Sequence, residues 1–221
     1  MQAVLLAETI PMMRIVCLLI FTVFCMTPAW AAGDAAAGKT LYASCTACHG
    51  AQAEGLATMN APALAGQDAS YLERQLTYFR TGIRGADPAD TFGAQMRGMA
   101  AVLADAQAVA DVSAYLASLA PMSSHADASG DLRNGNNYYQ SKCGACHGGK
   151  AEGNAALFAP RLAGQDSAYL KRQYHNFQQG LRGSHADDRY GKQMKMMSTS
   201  LPGEKDLDDV LAFIGAQGAA R

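Results

Sequence analysis

Residues 45–75 read CTACHGAQAEGLATMNAPALAGQDASYLERQ, and residues 143–173 read CGACHGGKAEGNAALFAPRLAGQDSAYLKRQ. The offset is 98 residues at every matched position. It runs without insertion or deletion through Phe79/Phe177 and Gln95/Gln193 to Ala114/Ala212. Upstream it slips to 97, at Gly38/Gly135. Two copies at a period near 100 are a duplication, not a short-period solenoid. The 221 residues are 49% hydrophobic and 17% charged, which excludes disorder as the overall state. The formal net charge is −1, far from the basic excess that marks a nucleic-acid binder.

Each copy reads as helical. Tyr71, Leu72, Gln75, Leu76 and Phe79 share one face of a 3.6-residue repeat, and Tyr169, Leu170, Gln173, Tyr174 and Phe177 restate it. Asp68 and Asp166 fit N-caps, and Gly82 and Gly180 fit stops. A closing helix is predicted over Ala106–Leu119 and from Glu204 to about Ala216. A shorter one leads into each cysteine pair, near Ala35–Ala43 and Leu132–Gln140. No stretch alternates cleanly enough for a strand, so the fold class is all-α. The loops between helices are long, which implies that something other than side chains fills the middle.

Ile15–Met26 is a charge-free apolar run after Arg14, too short for the roughly 20 residues of a membrane span. Ala29-Trp30-Ala31 supplies an A-x-A site. Together they read as a signal peptide over residues 1–31, removed on export to the periplasm. Glu8 and the long lead-in are unusual for such a segment, and a start at Met12 or Met13 would give an ordinary basic one. The domain boundaries that follow are 32–121 and 131–221, with 122–130 as a polar linker.

The four cysteines of the mature chain fall in Cys45-Thr46-Ala47-Cys48-His49 and Cys143-Gly144-Ala145-Cys146-His147. This C-x-x-C-H pattern is the c-type haem attachment signature. Two thiols add across the haem vinyl groups, two intervening residues let both sulfurs reach one porphyrin edge, and the next histidine turns onto the iron. A shared zinc is disfavoured by the long gap between the pairs, and a thioredoxin-type disulfide by the lack of a βαβ pattern. The sixth iron position decides between electron carriage and small-molecule chemistry. Gln95-Met96 and Gln193-Met194 lie at one distance from their histidines, but Met99 and Met197 are also equivalent, so spacing leaves both pairs open. Met196 has Gly98 as its counterpart. His125, His175 and His185 have no histidine counterparts and read as linker or surface residues.

The duplicated C-x-x-C-H, the A-P-x-L-A-G-Q segment after each and the later methionines resemble the cytochrome c4 family. The resemblance implies two tandem class I cytochrome c domains, each wrapped around a covalent haem c. It implies that His49 and Met96 ligate one iron, that His147 and Met194 ligate the other, and that Pro62 and Pro160 accept a hydrogen bond from the proximal histidines. The expected role is non-enzymatic electron transport in a periplasmic respiratory chain, from the cytochrome bc1 level toward a terminal oxidase, with peripheral membrane association left open. The alternatives are an electron-transfer subunit of a dehydrogenase or oxidase complex, or a haem peroxidase or gas-binding protein should one iron be open. Arg84 and Arg182 pair with haem propionates or are simply solvated.

Overall fold

The fold is built from aspartate-capped helices. In the computed structural model, which describes residues 32–121 and 129–218, the first half carries α1 (Ala35–Tyr42), α2 (Thr46–His49), α3 (Ala69–Thr81), α4 (Thr91–Ala100) and α5 (Ala106–Ser118). The second carries α6 (Leu132–Lys142), α7 (Gly144–His147), α8 (Ser167–Gln178), α9 (Arg189–Met197) and α10 (Glu204–Gly218). The proposed targeting segment and most of the linker lie outside the described residues. Asp34, Asp68, Asp90 and Asp105 each accept a first-turn backbone N–H of α1, α3, α4 and α5, and Asp131, Asp166 and Asp188 do so for α6, α8 and α9. Each such cap stabilises its helix by about 1 kcal/mol.

In each half the first helix crosses the last. Gly38 lies on the Asp111 carbonyl and Gly135 on the Asp209 carbonyl, closer than any Cβ allows, so glycine is required at both crossings. The carboxylates of Asp111 and Asp209 accept the Asp34 and Asp131 N–H groups, each at 2.8 Å, and pin the chain entering the helix. Tyr42 packs on Tyr115 and Tyr139 on Phe213, ring centroids 5.5 and 5.1 Å apart. Leu72, Val109, Val112 and Leu116 join Tyr42 in the first core, and Val210, Phe213 and Ile214 join Tyr139 in the second. Both halves belong to a single compact unit.

No named strand occurs among the described residues. A single bridge, Leu56–Ala61 or Asn154–Ala159, closes the loop after each C-x-x-C-H. The helices α4 and α9 were not legible as helices. Gly93, Gly98 and Gly191 interrupt their apolar period, and it is the buried caps Asp90 and Asp188 that start them.

Candidate functional site

The one-turn helix α2 sets the first site. The His49 N–H donates to the Cys45 carbonyl at 2.9 Å, which brings Cys45, Cys48 and His49 onto one helical turn. The turn is tied to α1 by the Tyr42 hydroxyl, which donates to the Gly50 carbonyl at 2.7 Å. The second half repeats this with His147 to Cys143 at 3.0 Å and Tyr139 to Gly148 at 2.7 Å. Both histidines are only 5% exposed, and burial holds each imidazole below its ordinary pKa. The Nδ1 of His49 lies 2.9 Å from the Pro62 carbonyl, and that of His147 lies 2.9 Å from the Pro160 carbonyl. A carbonyl can only accept, so Nδ1 carries the proton. Nε2 is then left as a neutral, oriented lone pair, the state a metal needs. The proline geometry that the resemblance implied is therefore present.

Cys45, Cys48, His49 and Met96 line one cleft of the first half, together with the apolar Leu72 and Phe79. Met99 lines it too. The two methionines differ in burial. Met96 is partly buried on the face of α4 that carries the buried Gly93 and Ala100, whereas Met99 is 40% exposed. In α9, Met194 is likewise partly buried, with Met197 at 39% and Met196 at 69% exposure. Gly85, at φ +75°, packs directly on the Gly93 backbone and seats α4 against the loop before it. Gly183 does the same against Gly191.

The two halves meet at an interface whose Gln75, Arg84 and Gln173 also line the cleft of the first half. The Gln165 side chain bonds the backbone of Ala63, accepting its N–H at 3.0 Å and donating to its carbonyl. Gln67 does the same to Arg161, accepting its N–H at 2.9 Å and donating to its carbonyl at 3.0 Å. Deeper in the interface, the Gln75 carbonyl oxygen accepts from Arg84 at 2.7 Å and Arg182 at 2.9 Å. The Gln173 carbonyl oxygen accepts from the same two, at 2.8 and 2.9 Å. The Tyr71 hydroxyl accepts a further bond from Arg182 at 3.3 Å.

Arg84 and Arg182 are thus not solvated, being 7% and 8% exposed. Neither forms an ion pair among the described residues. Two desolvated guanidiniums without an anion are costly, and they define a place for carboxylates. Arg84 lines the cleft of the first half, and its Nε is buried without a hydrogen-bond partner among the described residues. A haem c fits this donor set: two thiols, an oriented imidazole, an apolar wall and a buried cation pair for propionates. The sequence places Gln75 and Gln173 on the repeated helical face and Gln67 and Gln165 in the repeated A-P-x-L-A-G-Q segment, but their bonds across the interface are seen only in the structure. His175 faces Glu204 at 3.2 Å and His185 is 44% exposed in its side chain, both at the surface as expected, while His125 lies outside the described residues.

Comparison with known proteins agrees with this geometry. The family described as Cytochrome c matches residues 35–120 and again 132–217. A cytochrome c4 of Azotobacter vinelandii is 33% identical over 199 residues, covering 84% of this chain and 90% of that protein. A thiosulfate dehydrogenase electron acceptor of Stutzerimonas stutzeri (strain A1501) is 36% identical over 164 residues, covering 70% and 72%. The crystal structure of reduced recombinant cytochrome c4 from Pseudomonas stutzeri superposes with a TM-score of 0.68 at 30% identity, covering 83% of this chain and 98% of that one. Two tandem, helical cytochrome c domains imply two covalent haem c groups. The chain belongs to the cytochrome c4 family of dihaem electron-carrying cytochromes c.

Proposed function

We propose that the protein is a periplasmic electron carrier and not an enzyme, with each haem iron held between a histidine and a methionine: His49 and Met96 in 32–121, His147 and Met194 in 131–221. Cys45, Cys48, Cys143 and Cys146 carry the thioether links. The signal peptide is 1–31 and the linker 122–130. The observation that carries the reading is the pairing of each C-x-x-C-H turn with a proline carbonyl that fixes the imidazole tautomer, 2.9 Å in both halves.

Bound haem supplies a one-electron iron couple whose potential is set by axial ligands, polarity and exposure. The chain does the rest. His49 and His147 present oriented lone pairs, and Pro62 and Pro160 hold their rings against rotation. The partly buried Met96 and Met194 offer soft, neutral sulfurs from capped helices. Leu72 and Phe79 give the first cleft an apolar wall, and Arg84 and Arg182 would offset the negative charge of haem propionates.

In this reading the donor is at the level of the cytochrome bc1 complex and the acceptor is a terminal oxidase, with peripheral membrane association left open. Among the described residues no helix is long and apolar enough to cross one. The second reading is an acceptor for a periplasmic dehydrogenase, favoured by the likeness to the electron acceptor of a thiosulfate dehydrogenase. Stoichiometric copurification with a dehydrogenase would decide for it.

The test is optical. Two haems per chain by pyridine haemochrome, both with the far-red sulfur-to-iron band when oxidised and neither binding carbon monoxide when reduced, is the expected result. One iron without the band and open to carbon monoxide would move the protein to an enzyme or gas sensor. Met194→Leu should open one iron and Met197→Leu should not; the reverse would overturn the ligand assignment.

A further inference from the structure

The helices that carry Met96 and Met194 are each gripped from the opposite half. Arg172, on α8, crosses to the first half. There its Nη2 donates to the Asn60 carbonyl at 2.8 Å and its Nη1 to Asn60 Oδ1 at 3.3 Å. Its guanidinium lies over the Phe92 ring, 4.5 Å from the centroid, with its own Tyr169 on the other flank at 5.5 Å. Phe92 stands one helical turn before Met96 on α4. Arg74, on α3, mirrors this in the second half. Its Nη2 donates to the Phe158 carbonyl at 2.8 Å, and its guanidinium lies 4.6 Å from Tyr190, one turn before Met194 on α9. Tyr71 and Phe158 flank it at 5.4 and 5.5 Å.

The contacts recur at the duplication's offset, with Arg74 matched to Arg172, Phe92 to Tyr190 and Asn60 to Phe158. The Nε of both arginines is buried and has no hydrogen-bond partner among the described residues, so aromatic faces are what these desolvated groups rest on. A second strut lies beside each. Asn176 Nδ2 is 3.4 Å from the α4 cap carboxylate of Asp90, and the Tyr78 hydroxyl donates to the Asp187 carbonyl at 3.3 Å, next to the α9 cap.

We propose that Arg172 and Arg74 are positioning residues acting across the interface, each holding in place the methionine helix of the other half. This rests on the reading of Met96 and Met194 as ligands. The helices α4 and α9 have 10 and 9 residues, too short to persist on their own propensity. Their seats are a cap, a glycine contact, the preceding helix of their own half, and from the opposite half the arginine and the strut beside it. Releasing the arginine loosens the first turn, and a sulfur one turn further on leaves its place more often. Coordination in one half then depends on the other half being docked.

The test uses the reduced holoprotein, in which each ligating methionine methyl gives its own ring-current-shifted proton resonance. Met96→Leu and Met194→Leu assign the two signals by removing one each. Arg172→Leu should shift or broaden the Met96 signal, spare that of Met194, and raise the carbon monoxide binding rate of the first-half haem at least about fivefold, the scale of one lost cation–π contact. Arg74→Leu should do the converse. Arg172→Lys, which keeps a cation over Phe92, should fall between wild type and Arg172→Leu. Phe92→Leu, which breaks the same contact from the other side, gives the second route should the Arg172→Leu protein not fold. The proposal is overturned if these variants disturb the methionine of their own half, or both equally, or neither. If Met96→Leu and Met194→Leu remove no signal, the ligand assignment is what fails.

Discussion

Gln165→Leu should cost more stability than Gln67→Leu, although the two side chains play the same part. Gln165 holds both backbone groups of Ala63. Ala63 and Gln165 are each 8% exposed, so water does not reach the groups that the substitution strands. A buried N–H and a buried carbonyl left unpaired cost about 1–3 kcal/mol each, and a buried leucine recovers part of that, for a net of about 2–4 kcal/mol. Gln67 holds the backbone of Arg161, which is only partly buried, so solvent can repair the loss and about 1–2 kcal/mol is expected. For a protein of this size 1 kcal/mol moves Tm by about 2–4 °C. Gln165→Leu should therefore melt roughly 5–15 °C below wild type and Gln67→Leu about 2–8 °C below it. Thermal unfolding of the holoprotein, followed in the Soret band and by far-ultraviolet circular dichroism, measures both. An equal or larger effect of Gln67→Leu, or less than about 0.5 kcal/mol for both, would refute the claim that this exchange seals the interface.

Arg84→Leu removes a buried positive charge beside the first cleft. The oxidised state, one charge more positive, should be favoured, and one of the two potentials should fall by some tens of mV, against about 59 mV per tenfold for one electron. A rise in a redox titration would contradict it. The Asp209 carboxyl is pushed down to about 2 by Lys205, Asn134 and the Asp131 N–H. Its folded value lies below its unfolded one, so its contribution is present above about pH 4 and lost as the pH falls through about 2. The stability gap between wild type and Asp209→Asn should be flat above pH 4 and close below it. A gap that opens only above pH 6 would overturn this. Residues 32–121 carry five basic and eight acidic side chains, and residues 131–221 twelve and nine, so a charge that is even overall is polarised by half. Lys142 and Lys150 are exposed and flank the second C-x-x-C-H turn, where Ser44 and Gln52 stand in the first. Electron exchange with a small acidic redox protein should slow with added salt, and Lys142→Glu with Lys150→Glu should flatten that slope. An unchanged slope would rule out this face.

What was legible in the sequence is what sits within a few residues of its partner. The aspartate caps, the C-x-x-C-H turns and the helical face from Tyr71 to Phe79 depend on neighbours in the chain, and the duplication stated each twice. The interface contacts join residues about 90–110 positions apart, and no local period encodes them. Arg84 illustrates the limit. An arginine in a loop is solvated far more often than buried, and only the meeting of Gln75 with Gln173 reveals that this one is enclosed. The methionine helices were missed for a different reason. Gly93 and Gly191, which weaken the apolar period, are the residues that let α4 and α9 lie on the preceding loops.

The same interface would couple the binding of anions at Arg84 and Arg182 to the docking of the halves. Arg84 and Arg182 share both glutamine oxygens, so their guanidiniums lie close together, desolvated and alike in charge. Glutamine oxygens are neutral acceptors, and although each guanidinium also rests on an aromatic ring, at 4.5 Å from Phe79 for Arg84 and from Phe177 for Arg182, neither forms an ion pair among the described residues. Carboxylates entering beside the guanidiniums would supply that pairing only while the halves are docked, because each guanidinium draws one of its two glutamines from the opposite half. By linkage the dependence runs both ways: whatever places anions at Arg84 and Arg182 tightens the interface, and whatever loosens the interface weakens the hold on those anions. The cross-interface contacts of Arg74 and Arg172 with α9 and α4 would extend that coupling to the helices that carry Met194 and Met96.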